Sequence, residues 1–261
     1  MASSNGNEAF RRTLRLLDDR ISSAEYLQFG ADDLQEMNVI VRPASFARTS
    51  EDIELKLCFF IPTTSNVLSA PDEQDLAEEF LEFPEYDATR EERYGEKSWE
   101  RARSLERYLS CCVIDCGLDE LGWNSLDVSK YKVLWEYKVS QWYVESVYCH
   151  NSKYPHVKAT MISDHEGNDG TLFRGELLAL IRLIRGRLAT KSVAHYSNYP
   201  VLLFSMMGVQ HVRILQAYMD SSTLVIQKSK LYDCRHKNSG LLDFLIAWFL
   251  SSPTGELTSS N

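Results

Sequence analysis

No run of apolar residues in this chain approaches the roughly 20 needed to cross a bilayer as a helix. The longest, Leu241–Leu250, is about half that length and is broken by Asp243. The first residues, Met1–Asn7, lack the basic flank and apolar stretch of a secretory leader. Together these absences predict an intracellular protein, cytoplasmic or nuclear, with no membrane partner. There is no P-loop, no GxGxxG and no GxSxG, so NTPase, dinucleotide-binding and serine-hydrolase readings have no positive support. Lysine and arginine are missing from the stretch between Pro71 and Asp87, which holds eight acidic residues. The net charge is -9, so the remainder of the chain is close to neutral. A neutral body has no overall attraction for phosphate backbones, which argues against non-specific nucleic-acid binding. Cys111, Cys112 and Cys116 cluster, but no second CxxC or HxxxH pair completes a zinc site. Free thiols are expected, and no cofactor is implied.

What is present is enough for a large core: 261 residues, of which 44% are hydrophobic. Phe10, Leu14, Leu17 and Ile21 repeat at helical spacing within an expected helix over 8–28. Val39–Val41 and Ile53–Ile61 read as strands. The acidic segment 63–96, punctuated by Pro71 and Pro84, is expected as an exposed insert with one short helix around Glu73–Phe83. A helix over Lys97–Cys112 sets Trp99, Ala102, Leu105 and Leu109 on one face, with Arg101, Arg103, Glu106 and Arg107 on others. Tyr131–Val139 alternates, which predicts a half-buried strand with Tyr131, Val133, Trp135, Tyr137 and Val139 on one side. Gln141–Cys149 fits a strand or a helix, and His156–Ile162 a strand.

From Thr171 the pattern is clearer. A helix carries Leu177, Leu178, Ile181, Ile184 and Leu188 on one face. Pro200–Met207, His211–Met219 and Thr223–Ser229 follow as strands, and Ser239–Leu250 as a buried helix. Residues 251–261 read as a flexible tail. The whole is expected to be one α+β domain, a mixed sheet packed against helices, ending in this helix–three strands–helix unit.

The loop SDHEGNDG (163–170) resembles a calcium loop, but one register places Asp169 where glycine is required and the other makes ligands of His165 and Gly167. A solvated turn is the better reading. Trp135, Trp142, Tyr143, Tyr148, Tyr196 and Tyr199 could line a pocket, though packing is the commoner role of such side chains. Phe80, Phe83 and Tyr86, set among carboxylates, suit docking on a basic protein surface, against the alternative of a solubilising loop.

Two resemblances rest on the C-terminal half. The runs FRGELLALIRLIRGRL (Phe173–Leu188) and YPVLLFSMMGVQHVRILQAYMDSSTLVIQKSKLYD (Tyr199–Asp233) resemble an uncharacterised protein family of filamentous fungi over about 155–250, which implies an intracellular fungal protein and no particular activity. The element order from Glu176 onward resembles the restriction-endonuclease-like PD-(D/E)XK core. That resemblance implies a Glu on the first helix, an Asp on the second strand and a carboxylate two residues before a Lys on the third, holding Mg2+. Glu176, Asp220 and Lys228 are the matching catalytic residues. The chain departs from the pattern at Ile226, which stands where the acid before Lys228 is required. The leading expectation is therefore an accessory or interaction protein without chemistry of its own. The alternative is an enzyme, either a divergent Mg2+-dependent nuclease or a small-molecule pathway enzyme.

Overall fold

The computed structural model describes residues 2–46, 59–63, 82–131, 133–138, 141–151 and 154–254. The chain opens with helix α1 (Ala2–Ser23), a two-residue strand β1 (Gln28–Phe29), the short α2 (Ala31–Glu36) and β2 (Val39–Pro43). After β3 (Phe60–Ile61) come α3 (Thr89–Tyr94), the long α4 (Ser98–Asp115) and β4 (Trp123–Ser125). β5 (Trp135–Glu136), β6 (Trp142–His150), β7 (Val157–Ser163) and β8 (Leu172–Phe173) lead into α5 (Arg174–Leu188). β9 (Val201–Met207), β10 (His211–Asp220), β11 (Thr223–Lys228), β12 (Tyr232–Asp233), α6 (Ser239–Phe249) and β13 (Ser252–Pro253) complete it.

The main sheet runs β2-β11-β10-β9-β7-β6-β4, with β12 beside β10 and β5 beside β6. β7 and β9 are parallel, joined by the α5 crossover, and β2 lies parallel to β11; the remaining pairs are antiparallel. The central strands read as near-continuous apolar runs because both faces of the sheet are covered. Val201, Leu203, Leu215, Ala217, Leu224 and Ile226 face α1 and α5, while Leu202, Phe204, Val212, Ile214, Tyr218 and Val225 face α4 and α6. Alternation along each strand thus feeds two cores, giving a mixed sheet between two helical layers in the expected α+β class.

The basic side chains of α5 are consumed within the fold. Arg182 and Arg185 both reach the buried carboxylate of Asp18 on α1. Arg174 holds the carbonyls of Ser22 and Ala24, and Arg187 those of Tyr154, His150 and Pro155. These bonds fasten α1 and the loops around β6 onto α5.

Several expectations change. α1 ends at Ser23, and Gln28–Phe29 pairs with β8 instead of extending the helix. Gln141–Cys149 resolves as strand. The predicted strand over 131–139 shrinks to Trp135–Glu136; Leu134 is buried, whereas Val133, Trp135 and Tyr137 are 47%, 52% and 58% exposed. Residues 251–254 are no tail, because Ser252–Pro253 pairs with β3 and Ser251 is buried. The predicted strand residues 53–58, the acidic residues 64–81 and the rest of the expected tail lie outside the described residues. Within the described part of the acidic segment, Glu82, Glu85, Asp87 and Arg90 are exposed, Phe83 is buried and α3 forms. Among the described residues, no helix is long and apolar enough to cross a membrane.

Candidate functional site

The three residues matched to the nuclease pattern do not converge. Glu176 lies fully buried in the first turn of α5, and its carboxylate is committed on both oxygens. Oε1 accepts from Arg213 Nε at 3.0 Å. Oε2 accepts from Arg213 Nη2 at 2.9 Å and from the Phe173 amide at 2.8 Å. Arg213 also donates through Nη1 to the carbonyls of Asn168 and Thr171, so the pair fastens the SDHEGNDG loop to the sheet. Lys228 stands near this pair and donates to the Asp169 carbonyl. Burial, with Arg213 nearby, holds its amine below the ordinary lysine value.

Asp220 is elsewhere. It sits seven positions beyond Arg213 on β10, about 23 Å of extended chain. Its place in the alternation points to the opposite face of the sheet, in the β10–β11 turn where Asp220 pairs with Thr223. Glu176 and Asp220 cannot share one ion.

A second helix-and-strand run lies upstream, where β4, β6 and β7 are neighbours in the sheet between α4 and α5, with the two-residue strands β5 and β8 also intervening. There the first helix supplies Glu106 and the third strand Lys158, with His156 two residues before it. Glu106 is buried; its Oε1 accepts from Ser110 Oγ at 2.7 Å and Thr160 Oγ1 at 2.8 Å, and Thr160 in turn meets Ser146 Oγ at 2.7 Å. Burial pushes the Glu106 carboxyl above its ordinary value. Lys158 Nζ donates to the carbonyls of Phe249 and Ser251 at 2.5 and 2.6 Å and lies 3.8 Å from the centre of the Trp123 ring. Burial drives its pKa well down from the ordinary lysine value. His156, its pKa lowered by burial to about 3, is a neutral ring whose Nε2 lies 3.1 Å from the Thr254 carbonyl.

Mg2+ takes oxygen ligands, above all carboxylates. In this cluster the Glu106 carboxylate is bonded by two hydroxyls, and the lysine is used by the end of α6. Among the described residues, no group of three His, Cys, Asp or Glu side chains could hold a metal ion. Neither helix–strand unit fits Mg2+.

A different arrangement lies over the N-terminal half of α4. Lys97, Trp99, Arg103, Tyr137, Gln141, Tyr143 and Ile162 line a cleft of about 420 Å³. α4 starts there because the Glu100 carboxylate accepts the Lys97 amide at 2.7 Å, capping the helix. Arg103 is exposed on α4, and Tyr143 stands opposite Ile162 across the β6–β7 pair. Trp135 lies across from Tyr143, and its ring centre is 5.1 Å from that of Tyr137. Of the neighbouring carboxylates, Glu96 is engaged with Arg101 and Arg90 and Glu136 with Arg174 and the Trp142 indole, while Glu145 lies near Tyr143 with no bonded partner among the described residues. Lys97 and Arg103 make no ion pair among the described residues. Burial pushes the Tyr143 hydroxyl up to about 12, so it stays a protonated donor.

Among the aromatics considered as pocket or packing, Trp142, Tyr148 and Tyr199 are buried, and Tyr143 lines the cleft. Of the residues matched to a basic partner, Phe83 is buried with its ring against Tyr108, Tyr86 is half-buried with the Arg101 guanidinium over its ring, and Phe80 lies outside the described residues. Phe83 is thus a core residue, because the chain after it folds back on α4. Sequence reasoning missed Lys97, Arg103 and Gln141; the signal available was the aromatic alternation at Trp135 and Tyr137 on a face that turned out to be exposed. Comparison with protein-family models, with curated proteins and with solved structures finds no match.

Proposed function

We propose that this is an accessory binding protein without chemistry of its own, and that its contact surface is the cleft between α4, β5 and β6. One observation carries the reading: Lys97 and Arg103, without ion-pair partners among the described residues, stand in a cleft walled by Trp99, Tyr137 and Tyr143. Cations that serve the fold are used up in it, as Arg174, Arg182, Arg187 and Arg213 are. Unspent cations beside exposed rings suit a planar anionic group, which gains ring contact and charge-assisted hydrogen bonds together. The volume lies in the range of small-ligand sites, roughly 300–1,000 Å³.

Anilinonaphthalene sulfonate, a planar aromatic anion, tests this directly. It is expected to bind the native protein at a single site with enhanced fluorescence, and Arg103→Ala is expected to weaken that binding about tenfold, the scale of a charge-assisted hydrogen bond. Equal binding by wild type and Arg103→Ala would remove the cleft from consideration.

A further inference from the structure

We infer that the α4–β5–β6 cleft takes a nucleoside monophosphate, with the phosphate on Lys97 and Arg103 and the base against Trp99, Tyr137 and Tyr143. The inference rests on the binding reading above and names the ligand class of the same site.

Three features favour this class over a simple aromatic acid. First, the positive charge has more than one source. Lys97 is the N-cap of α4 and Arg103 lies six residues farther on, about 9 Å along the helix axis. A single carboxylate needs only one bidentate arginine, whereas a phosphate dianion with three terminal oxygens uses both side chains. Second, the rings are several and half-open: Trp99 and Tyr143 are half-buried and Tyr137 exposed, so a base can enter and stack without displacing core. Gln141 adds an exposed amide that both donates and accepts, as the edge of a base requires. Third, Glu145 lies close enough to Tyr143 to raise its hydroxyl pKa, and it has no hydrogen-bond or ion-pair partner among the described residues. A carboxylate there accepts hydrogen bonds from ribose hydroxyls, which a bare aromatic acid does not carry.

The test is calorimetric titration of the full chain with AMP, GMP, CMP and UMP, beside inorganic phosphate, adenosine and benzoate. At least one nucleotide is expected to bind at least about tenfold more tightly than phosphate, which lacks the base, adenosine, which lacks the phosphate, or benzoate, which offers one carboxylate and no ribose. Arg103→Ala and Trp99→Ala are each expected to weaken nucleotide binding by about tenfold or more, Arg103→Lys by less, with unchanged circular dichroism. Nucleotide binding no tighter than inorganic phosphate leaves the base without a seat and overturns the assignment. So does undiminished nucleotide binding by both alanine variants, which places the nucleotide elsewhere. If anilinonaphthalene sulfonate binds in an Arg103-dependent way but no nucleotide does, the nucleotide class falls and the cleft reading stands. If neither binds, both fall.

Discussion

Glu176 shows how one residue can satisfy a catalytic pattern and still be spoken for. It is fully buried, caps α5 and accepts both arms of the Arg213 guanidinium, so no free oxygen faces solvent. Breaking such a buried pair from one side leaves an uncompensated charge and costs about 3–5 kcal/mol. Arg213→Met is expected to lose that much in urea denaturation, and Glu176→Gln with Arg213→Met considerably less, because the stranded carboxylate is gone. Glu106 behaves differently. Burial raises its carboxyl pKa in the folded state, so its contribution is fully present below the unfolded value near 4.5 and is lost as pH rises through the folded value. Glu106→Gln mimics the protonated form. It is expected to match wild type at acid pH and to exceed it in stability at pH about 8; equal denaturation midpoints at both pH values would contradict this.

At the scale of elements, the apolar periodicities of α5, β9, β10, β11 and α6 were legible because burial on two faces leaves long runs with few alternatives. What misled was amphipathic chemistry. Alternation put Val133, Trp135 and Tyr137 on one side of a half-buried strand without fixing that side as inner or outer, since periodicity reports which side chains share a face and not which face is buried. Here Leu134 is the residue that goes in. By sequence Arg101 and Glu106 fall off the apolar face of α4, yet both are buried, paired with Glu96 and with two hydroxyls respectively; Ser110 lies one turn along the same helix, but Thr160 comes from β7, and no local pattern reveals it. The cleft was illegible for the same reason, as it joins side chains from α4, β6, β7 and the segment after β5. Gly186 in α5 offers an element-scale test. Alanine in a helix interior is normally favoured by about 1 kcal/mol, but a Cβ here would come within 2.2 Å of the Tyr131 ring. Gly186→Ala is therefore expected to destabilise by about 1–3 kcal/mol in thermal or chemical unfolding, against its propensity.

Across the whole molecule, the far C-terminal residues close a buried seam that sequence composition marked as frayed. Ser251, Pro253 and Thr254 look like a tail by residue type, but their carbonyls and strand pairing are met by groups from distant parts of the chain. The Ser251 carbonyl accepts from Lys158 Nζ and Trp123 Nε1, His156 meets the Thr254 carbonyl, and Ser252–Pro253 pairs with β3. β3, β4, β7 and the end of α6 thus depend on the same four residues. A chain ending at Thr254 keeps all of these bonds and is expected to unfold like the full chain. One ending at Leu250 strands buried donors on Trp123 and His156 and removes one of the two carbonyls that Lys158 bonds, at about 1–3 kcal/mol for each unmet group. Lys158 gives the seam a pH signature. Its depressed folded pKa means that the unfolded chain binds the extra proton, so stability is fully present above the unfolded value near 10.5 and declines as pH falls toward the folded value. Lys158→Met removes that proton linkage. The stability difference, wild type minus Lys158→Met, is expected to rise steadily from pH about 7 to about 10 in chemical denaturation, and a difference that stayed flat would show the amine to be charged in the folded protein.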